Sequence, residues 1–415
     1  MHRLSIAFVW MLFLCLSAKA QHEGSKRMSL EELWEKARTQ NLGIKGAQLQ
    51  TQQKSALIRS SHGLAKTDFN LTMGQFNSYG YDTGLGASQG FKSPNYYKAS
   101  QAYLSADAAA QQSMLAVLEN DLKYQISLSY EEMRYHIAMQ DLLGRFNLLY
   151  SDNLKAADAL LKAGQGTSLE RNAAFVQKMQ TEQQIAQSES ALQTSQALLQ
   201  RLTNTSDWPF PVESDYTKPL ALSVADTSLL DNHPLLQAAR LQAQTQQKAT
   251  ELEKANNLAE YSIGYNLVSI RGAHDVGDNS VKYFGFAPQF SYVTIGASVP
   301  LFNKAAKAKQ EASKVAELVA QNNLTSQTQM LQNELLQLEI QLKYSQLEIS
   351  FFEKTALPQA DLIEKTALAS RKAGEIGQND WTHAVEMSLN IRKGYIEKIW
   401  QQNQLILKQR TLLGM

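Results

Sequence analysis

The chain repeats itself. Lys162-Ala163-Gly164, followed by Glu170 and Ala174, returns as Lys372-Ala373-Gly374, followed by Asp380 and Ala384, each residue displaced by 210 positions. Pro94 and Pro300, each ahead of a long helical run, repeat at an offset of 206. A tandem duplication on this scale constrains the fold more than length does, since length alone would suggest about three domains. Each copy reads as helix, short β segment with Tyr and Phe, very long helix, glycine turn and helix. Neither helical face can be buried without a neighbour, so the copies are expected to pack side by side and to oligomerise. The organisation that follows is a leader over residues 1-20, a first repeat over 21-215 and a second over 216-415.

The leader is read from a basic start (His2, Arg3), an apolar run from Leu4 to Leu16 and the small-residue end Ser17-Ala18-Lys19-Ala20. The pattern is that of a secretory signal, so the mature chain is expected to be exported. The single cysteine, Cys15, falls inside the apolar run behind Leu14, where a lipoprotein signal needs a small residue. The mature chain therefore has no thiol for a disulfide, a thiolate metal site or a cysteine nucleophile. With 40 basic and 39 acidic residues and no basic block, nucleic acid is excluded as a partner class. Beyond the leader no apolar stretch approaches the roughly 18 residues of a spanning helix, so any membrane crossing must use strands.

Strand signals come in four segments. Phe69 to Met73 is the first, and Tyr81 to Phe91 the second, with Tyr81, Thr83, Leu85, Ala87 and Phe91 on one face and Asp82, Gly84, Gly86, Ser88 and Gly90 on the other. Tyr261 to Leu267 and an alternation running through Phe284, Phe286, Phe290 and Tyr292 supply the second copy. Segments of about 10 residues, apolar on one face and small or polar on the other, are the signature of transmembrane β-barrel strands.

The helices are long. Ser29, with Glu32 three residues on, marks the N-cap of a helix to about Ser61, and Asn232-His233-Pro234-Leu235 opens its counterpart to about Leu258. From Lys98 to Lys162 roughly 65 residues make a rod of about 100 Å. In the second copy Leu335, Leu338, Leu342 and Ile349 keep helical spacing, and Pro358 is expected to kink the run. Between the copies, Trp208-Pro209-Phe210-Pro211 and Pro219 mark an irregular connector from Asn204 to Asp226.

This order resembles the TolC-type outer-membrane efflux proteins over nearly the whole mature chain. The most specific segment is Ile295-Gly296-Ala297-Ser298-Val299-Pro300-Leu301-Phe302-Asn303, which resembles the family's final strand, its corner and the start of its second long helix. Asp68 to Ser78, with Ser88-Gln89-Gly90-Phe91, resembles the branch paired with heavy-metal pumps of the resistance-nodulation-division type. The first copy departs from the pattern, with Lys92-Ser93-Pro94-Asn95-Tyr96-Tyr97 where the second has Pro300-Leu301-Phe302. The resemblance implies a mainly α fold with a membrane β-barrel portion. Three chains would pool four strands each into one antiparallel barrel, and their helix hairpins would form an α-barrel tunnel across the periplasm. A passive duct follows, fed by an inner-membrane pump and a periplasmic adaptor, with no enzyme activity and no cofactor. The alternative is a periplasmic coiled-coil adaptor or scaffold, but such proteins carry one hairpin flanked by separate β domains, whereas here β segments sit between helices twice.

Residue roles come from the same resemblance. The turns with Lys162, Gly164 and Ser168, and with Lys372, Gly374 and Gln378, are the expected adaptor-docking tips. Glycine and a nearby lysine are also what any helix end of this kind requires. Just beyond the second turn the family carries paired acids at the narrowest point of the closed tube. Here they are Asp380 and, in place of the second acid, His383; Glu170 is the first-copy counterpart of Asp380. Three residues apart, Asp380 and His383 share a helical face, though acids also suit any first helical turn. His274-Asp275-Val276-Gly277-Asp278 is read as an exposed polar loop rather than a metal site, and no catalytic motif is present.

Overall fold

The computed structural model describes residues 25–213, 216–222, 227–277 and 280–414. The expected leader lies outside them. Eight strands and eight α-helices are described: β1 (Ser25–Met28), α1 (Leu30–Gln40), α2 (Leu42–Leu57), β2 (Thr67–Gly74), β3 (Asp82–Phe91), α3 (Pro94–Lys162), α4 (Ser168–Thr203), β4 (Trp208–Pro211), α5 (Pro234–Asn256), β5 (Glu260–Val268), β6 (Gly272–Asp275), β7 (Val281–Phe284), β8 (Phe290–Ser298), α6 (Lys304–Phe351), α7 (Leu357–Ala373) and α8 (Gln378–Leu412). They group into two compact units, and both units draw segments from both sequence repeats.

The first unit holds α1, most of α3, all of α4, the C-terminal part of α6, and α7 and α8. Buried positions on α6 follow a strict three-four spacing, Leu331, Leu335, Leu338, Leu342, Ser345 and Ile349, as a coiled-coil seam requires. Ser29 caps α1 as expected, accepting from the Glu32 N–H at 3.2 Å while Glu32 accepts from the Ser29 N–H at 3.0 Å. The helix expected to run to Ser61 breaks at Asn41, whose Nδ2 donates to the Leu202 carbonyl at 2.8 Å and whose Oδ1 caps α2 through Gly43. Met28, Leu33, Ala37 and Ile44 then pack on Leu122, Ile126, Met133 and Leu199. β1 pairs in parallel with β4, where Pro209 and Pro211 are tolerated because the strand is an edge. At Pro358 the expected distortion takes the form of a π-helical turn, Phe352–Ala356, placed where a proline lacks its N–H. Gly394 on α8 leaves room for the Phe352 ring, which would stand 3.2 Å from a Cβ there.

The second unit holds the sheet. Its order is β2-β3-β5-β8, antiparallel throughout, so the chain has a sheet of four adjacent strands, the number expected of it. One strand assignment fails. The alternation from Phe284 to Tyr292 is not one strand but the end of β7 and the start of β8, separated by residues 285–289. β7 instead forms a separate hairpin with β6, and His274 and Asp275 belong to β6 rather than to a loop. Pro288 accounts for the interruption, since a proline cannot supply a ladder N–H.

Candidate functional site

In the first unit the two glycine turns are built alike. Gln165 N–H donates to the Leu160 carbonyl and Glu375 N–H to the Ser370 carbonyl, both at 2.9 Å, and Gly164 (φ 72) and Gly374 (φ 76) take the left-handed conformation between them. The sequence offset of 210 is thus also an offset between hydrogen bonds. Lys162, Gly164, Ser168, Lys372 and Gly374 are exposed. Gln378 is not: it is 5% exposed, and Arg371 donates to its Oε1. Its side chain is therefore enclosed by its own chain and does not share the exposure of the other turn residues.

The residues after the turns differ between copies. Thr167 and Glu170 form a capping box, with Glu170 Oε2 accepting from the Thr167 N–H at 2.8 Å and the Thr167 hydroxyl at 3.0 Å. These bonds hold the Glu170 carboxyl below the usual carboxylate range, with Arg371 of the other hairpin adding a weaker pull. In the second copy Gly377 occupies the cap position and supplies no side chain. Asp380 is consequently free of a capping role; it is exposed, as is His383, while Trp381 and Val385 face inward.

Inward packing ties the repeats together. Phe146 and Tyr150 of α3 are fully buried against Trp381 and Val385 of α8, with Tyr150 and Trp381 edge to face at 6.5 Å. Glu364 on α7 accepts from Arg145 at 2.9 Å and from Arg392 at 3.2 Å, so one carboxylate spans α3 and α8. The connector between the repeats is held by a second polar cluster. Arg134 pairs with buried Glu131 at 2.7 Å, Asn403 Nδ2 donates to Glu131 at 3.1 Å, and the Leu220 N–H donates to Asn403 Oδ1 at 2.7 Å. The Arg134 guanidinium also lies 5.5 Å from the Tyr216 ring centre. Burial pushes the Glu131 carboxyl up against the opposing pull of Arg134. The links from Glu131 to Asn403 and from Arg134 to Tyr216 do not announce themselves in sequence, because each joins positions more than eighty residues apart.

In the second unit the sheet has two unlike faces. Phe69, Ala87, Tyr265 and Val293 form one row, and Leu71, Leu85, Leu267 and Ser291 the next. Phe69 is 79% exposed and Ile295, on the same face, 83%. Among the described residues, both edges of the sheet, β2 and β8, lack a further partner strand.

No protein-family model matches the chain, and no curated protein sequence matches it. Solved structures do match. CusC, described in a study of folding and transmembrane channel formation, superposes with a TM-score of 0.75 at 15% identity, covering 93% of this chain and 92% of that one. The Campylobacter jejuni outer membrane channel CmeC gives 0.75 at 13% identity, with 93% and 85% covered. The Vibrio cholerae outer membrane protein VceC gives 0.75 at 14% identity, with 93% and 96% covered. The chain therefore has the TolC-like channel fold, mainly helical with a small sheet portion.

Proposed function

We propose that the protein is the outer-membrane channel of a tripartite efflux system, a passive duct without enzyme activity. The observation that carries this reading is the four-stranded sheet with an exposed apolar face and two open edges. In water such a face invites aggregation, and in lipid an open edge leaves backbone groups unpaired at several kcal/mol each. Closure by further copies removes both penalties. Three copies would supply twelve strands, an even number as in other bacterial barrels. The helix hairpins of the first unit then extend into the periplasm, where the exposed turns at Gly164 and Gly374 meet an adaptor that links the duct to a resistance-nodulation-division pump. Asp380 and His383 line the narrow periplasmic end, on the exposed face of α8.

The equal TM-scores to CusC, CmeC and VceC do not single out one branch of these channels, so heavy-metal cargo rests only on the local resemblance from Asp68 to Phe91. Fractionation followed by electrophoresis with and without heating tests the duct. A heat-dissociable trimer in the outer membrane is expected. A monomer in the soluble periplasmic fraction would overturn the reading in favour of a scaffold.

A further inference from the structure

In the first unit a cavity of about 360 Å³ opens where the start of α1 and the end of α8 meet the middle of α3. Its α3 wall is one helical face, since Asn120, Lys123, Tyr124 and Ser127 recur at three- and four-residue spacing. Leu407 and Arg410 of α8 stand across from them, and Leu30 of α1 closes a third side. The fold itself uses two of the polar groups. Asn120 Nδ2 donates to the Thr411 carbonyl at 3.2 Å. One Nη of Arg410 donates to the Ala221 carbonyl at 2.8 Å, which steadies the guanidinium and leaves its other N–H groups available.

Ser127 is the telling residue. A helical hydroxyl commonly donates back to the carbonyl four residues earlier, as Thr203, Thr245 and Thr411 do at 2.7, 2.8 and 2.9 Å. Ser127 is 8% exposed, lines the cavity and makes no side-chain hydrogen bond among the described residues. Its hydroxyl is left to whatever occupies the cavity. The charge is equally unmatched. No aspartate or glutamate lines the cavity, and among the described residues neither Lys123 nor Arg410 has an acidic partner. Elsewhere in the same unit Arg134, Arg145 and Arg392 each have one.

We propose that this cavity binds a phosphate monoester carried on a sugar-sized body. Lys123 and Arg410 supply two positive charges, which match a phosphate dianion. The ammonium, the remaining guanidinium N–H groups and the hydroxyls of Ser127 and Tyr124 are donors, and the three terminal oxygens of a phosphate are acceptors. A carboxylate would leave one charge unmatched. The volume exceeds what a phosphate alone needs, and Leu30, Leu407 and the Tyr124 ring give the organic body an apolar floor. A phosphatidate headgroup carries the same phosphate, but its acyl chains would find little further apolar surface among the lining residues, so a soluble sugar phosphate is the assigned source. Bound there, it would tie α1 and the end of α8 to α3. The site is built within one chain and does not depend on the channel reading.

Titration calorimetry of the purified protein in detergent, with glucose 6-phosphate as the probe, tests this. One saturable site per chain is expected, with a Kd below about 1 mM. Glucose 6-sulfate, the same shape with one charge fewer, and dihexanoylphosphatidate are each expected to bind at least about tenfold more weakly. Lys123→Gln and Arg410→Gln should each weaken glucose 6-phosphate binding about tenfold or more, and Ser127→Ala about three- to tenfold. Lys343→Gln, an exposed α6 lysine that does not line the cavity, should leave it unchanged. Lys123 is exposed and unpaired, so its replacement reads binding without threatening the fold. No saturable binding of glucose 6-phosphate, equal affinity for the sulfate, or affinity that survives Lys123→Gln intact overturns the proposal, and tighter binding of phosphatidate overturns the sugar assignment. A soluble monomer that still binds glucose 6-phosphate through Lys123 would leave this site standing while the channel reading falls.

Discussion

Arg134→Met strands a buried carboxylate. Glu131 is 4% exposed and is compensated by two groups, the Arg134 guanidinium at 2.7 Å and the Asn403 amide at 3.1 Å. Removing one member of a buried pair costs about 3–5 kcal/mol, because the remaining charge is left desolvated, whereas replacing both members by neutral groups of similar size is close to neutral. The single variant should therefore lose most of that amount, and Arg134→Met with Glu131→Gln should regain it. Burial already raises the Glu131 carboxyl above its ordinary value near 4.5, so its contribution is fully present below that pH and is lost as pH rises through the folded value. Without Arg134 the folded value rises further. The deficit of the single variant should then grow toward neutral pH and close as pH falls toward 4.5. The assay is the melting midpoint of detergent-solubilised protein at one scan rate, expected to fall by roughly 5–10 °C at pH 7. Limited proteolysis of the connector, which Arg134 touches through Tyr216, should accelerate in parallel. An unchanged midpoint at pH 7, or a deficit that widens on acidification, would refute the reasoning.

Three further outcomes follow from the hairpin ends. Gly374→Val places a β-branched residue at φ 76, at a cost of about 1–2 kcal/mol, and is expected to weaken capture by the cognate adaptor more than trimer stability; equal binding by both proteins would count against the tip assignment. Thr167→Ala removes the α4 cap, about 1 kcal/mol of local stability. Since Glu170 is held below its usual range by Thr167, this cap persists above pH 4.5 and is lost as pH falls, and amide exchange in the first turn of α4 reads both effects. In planar bilayers Asp380→Ala should reduce cation selectivity and His383→Asp should increase it, and identical reversal potentials in all three proteins would place both residues off the pore.

Much of the architecture is legible in sequence because it is periodic. Three-four spacing gives α6, alternation gives β2, β3 and β5, and the positive-φ requirement gives Gly164 and Gly374. What the sequence hides depends on who stands opposite. Phe284 to Tyr292 alternates as well as any strand, yet Pro288 interrupts it and its halves join different partners. Asn41 reads as an ordinary helical residue until the Leu202 carbonyl arrives from 161 positions away. Gln378 follows a turn that is exposed, but Arg371 draws it inward. The glycines of β3 are visible as an alternation, while the asparagines that lie across Gly86 come from β2 and β5.

The two hairpin ends show how duplication can separate tasks that a single copy must combine. Both copies keep the turn, the glycine and an acid six residues beyond it. In the first copy Thr167 engages that acid, and Glu170 is occupied by two hydrogen bonds that hold it ionised close to its own backbone. In the second copy Gly377 replaces the threonine, so nothing at the cap holds Asp380. A carboxylate that closes a helix end cannot also reach across a pore. Of the two related acids, Asp380 is accordingly the one that the proposed duct would have free to act on a passing ion. The distinction has a simple experimental form: Gly377→Thr supplies the missing cap, and if it draws Asp380 back to the α8 terminus, cation selectivity should fall as in Asp380→Ala although the carboxylate is still present. Retained selectivity in folded Gly377→Thr trimers would show that capping and pore access are not in competition.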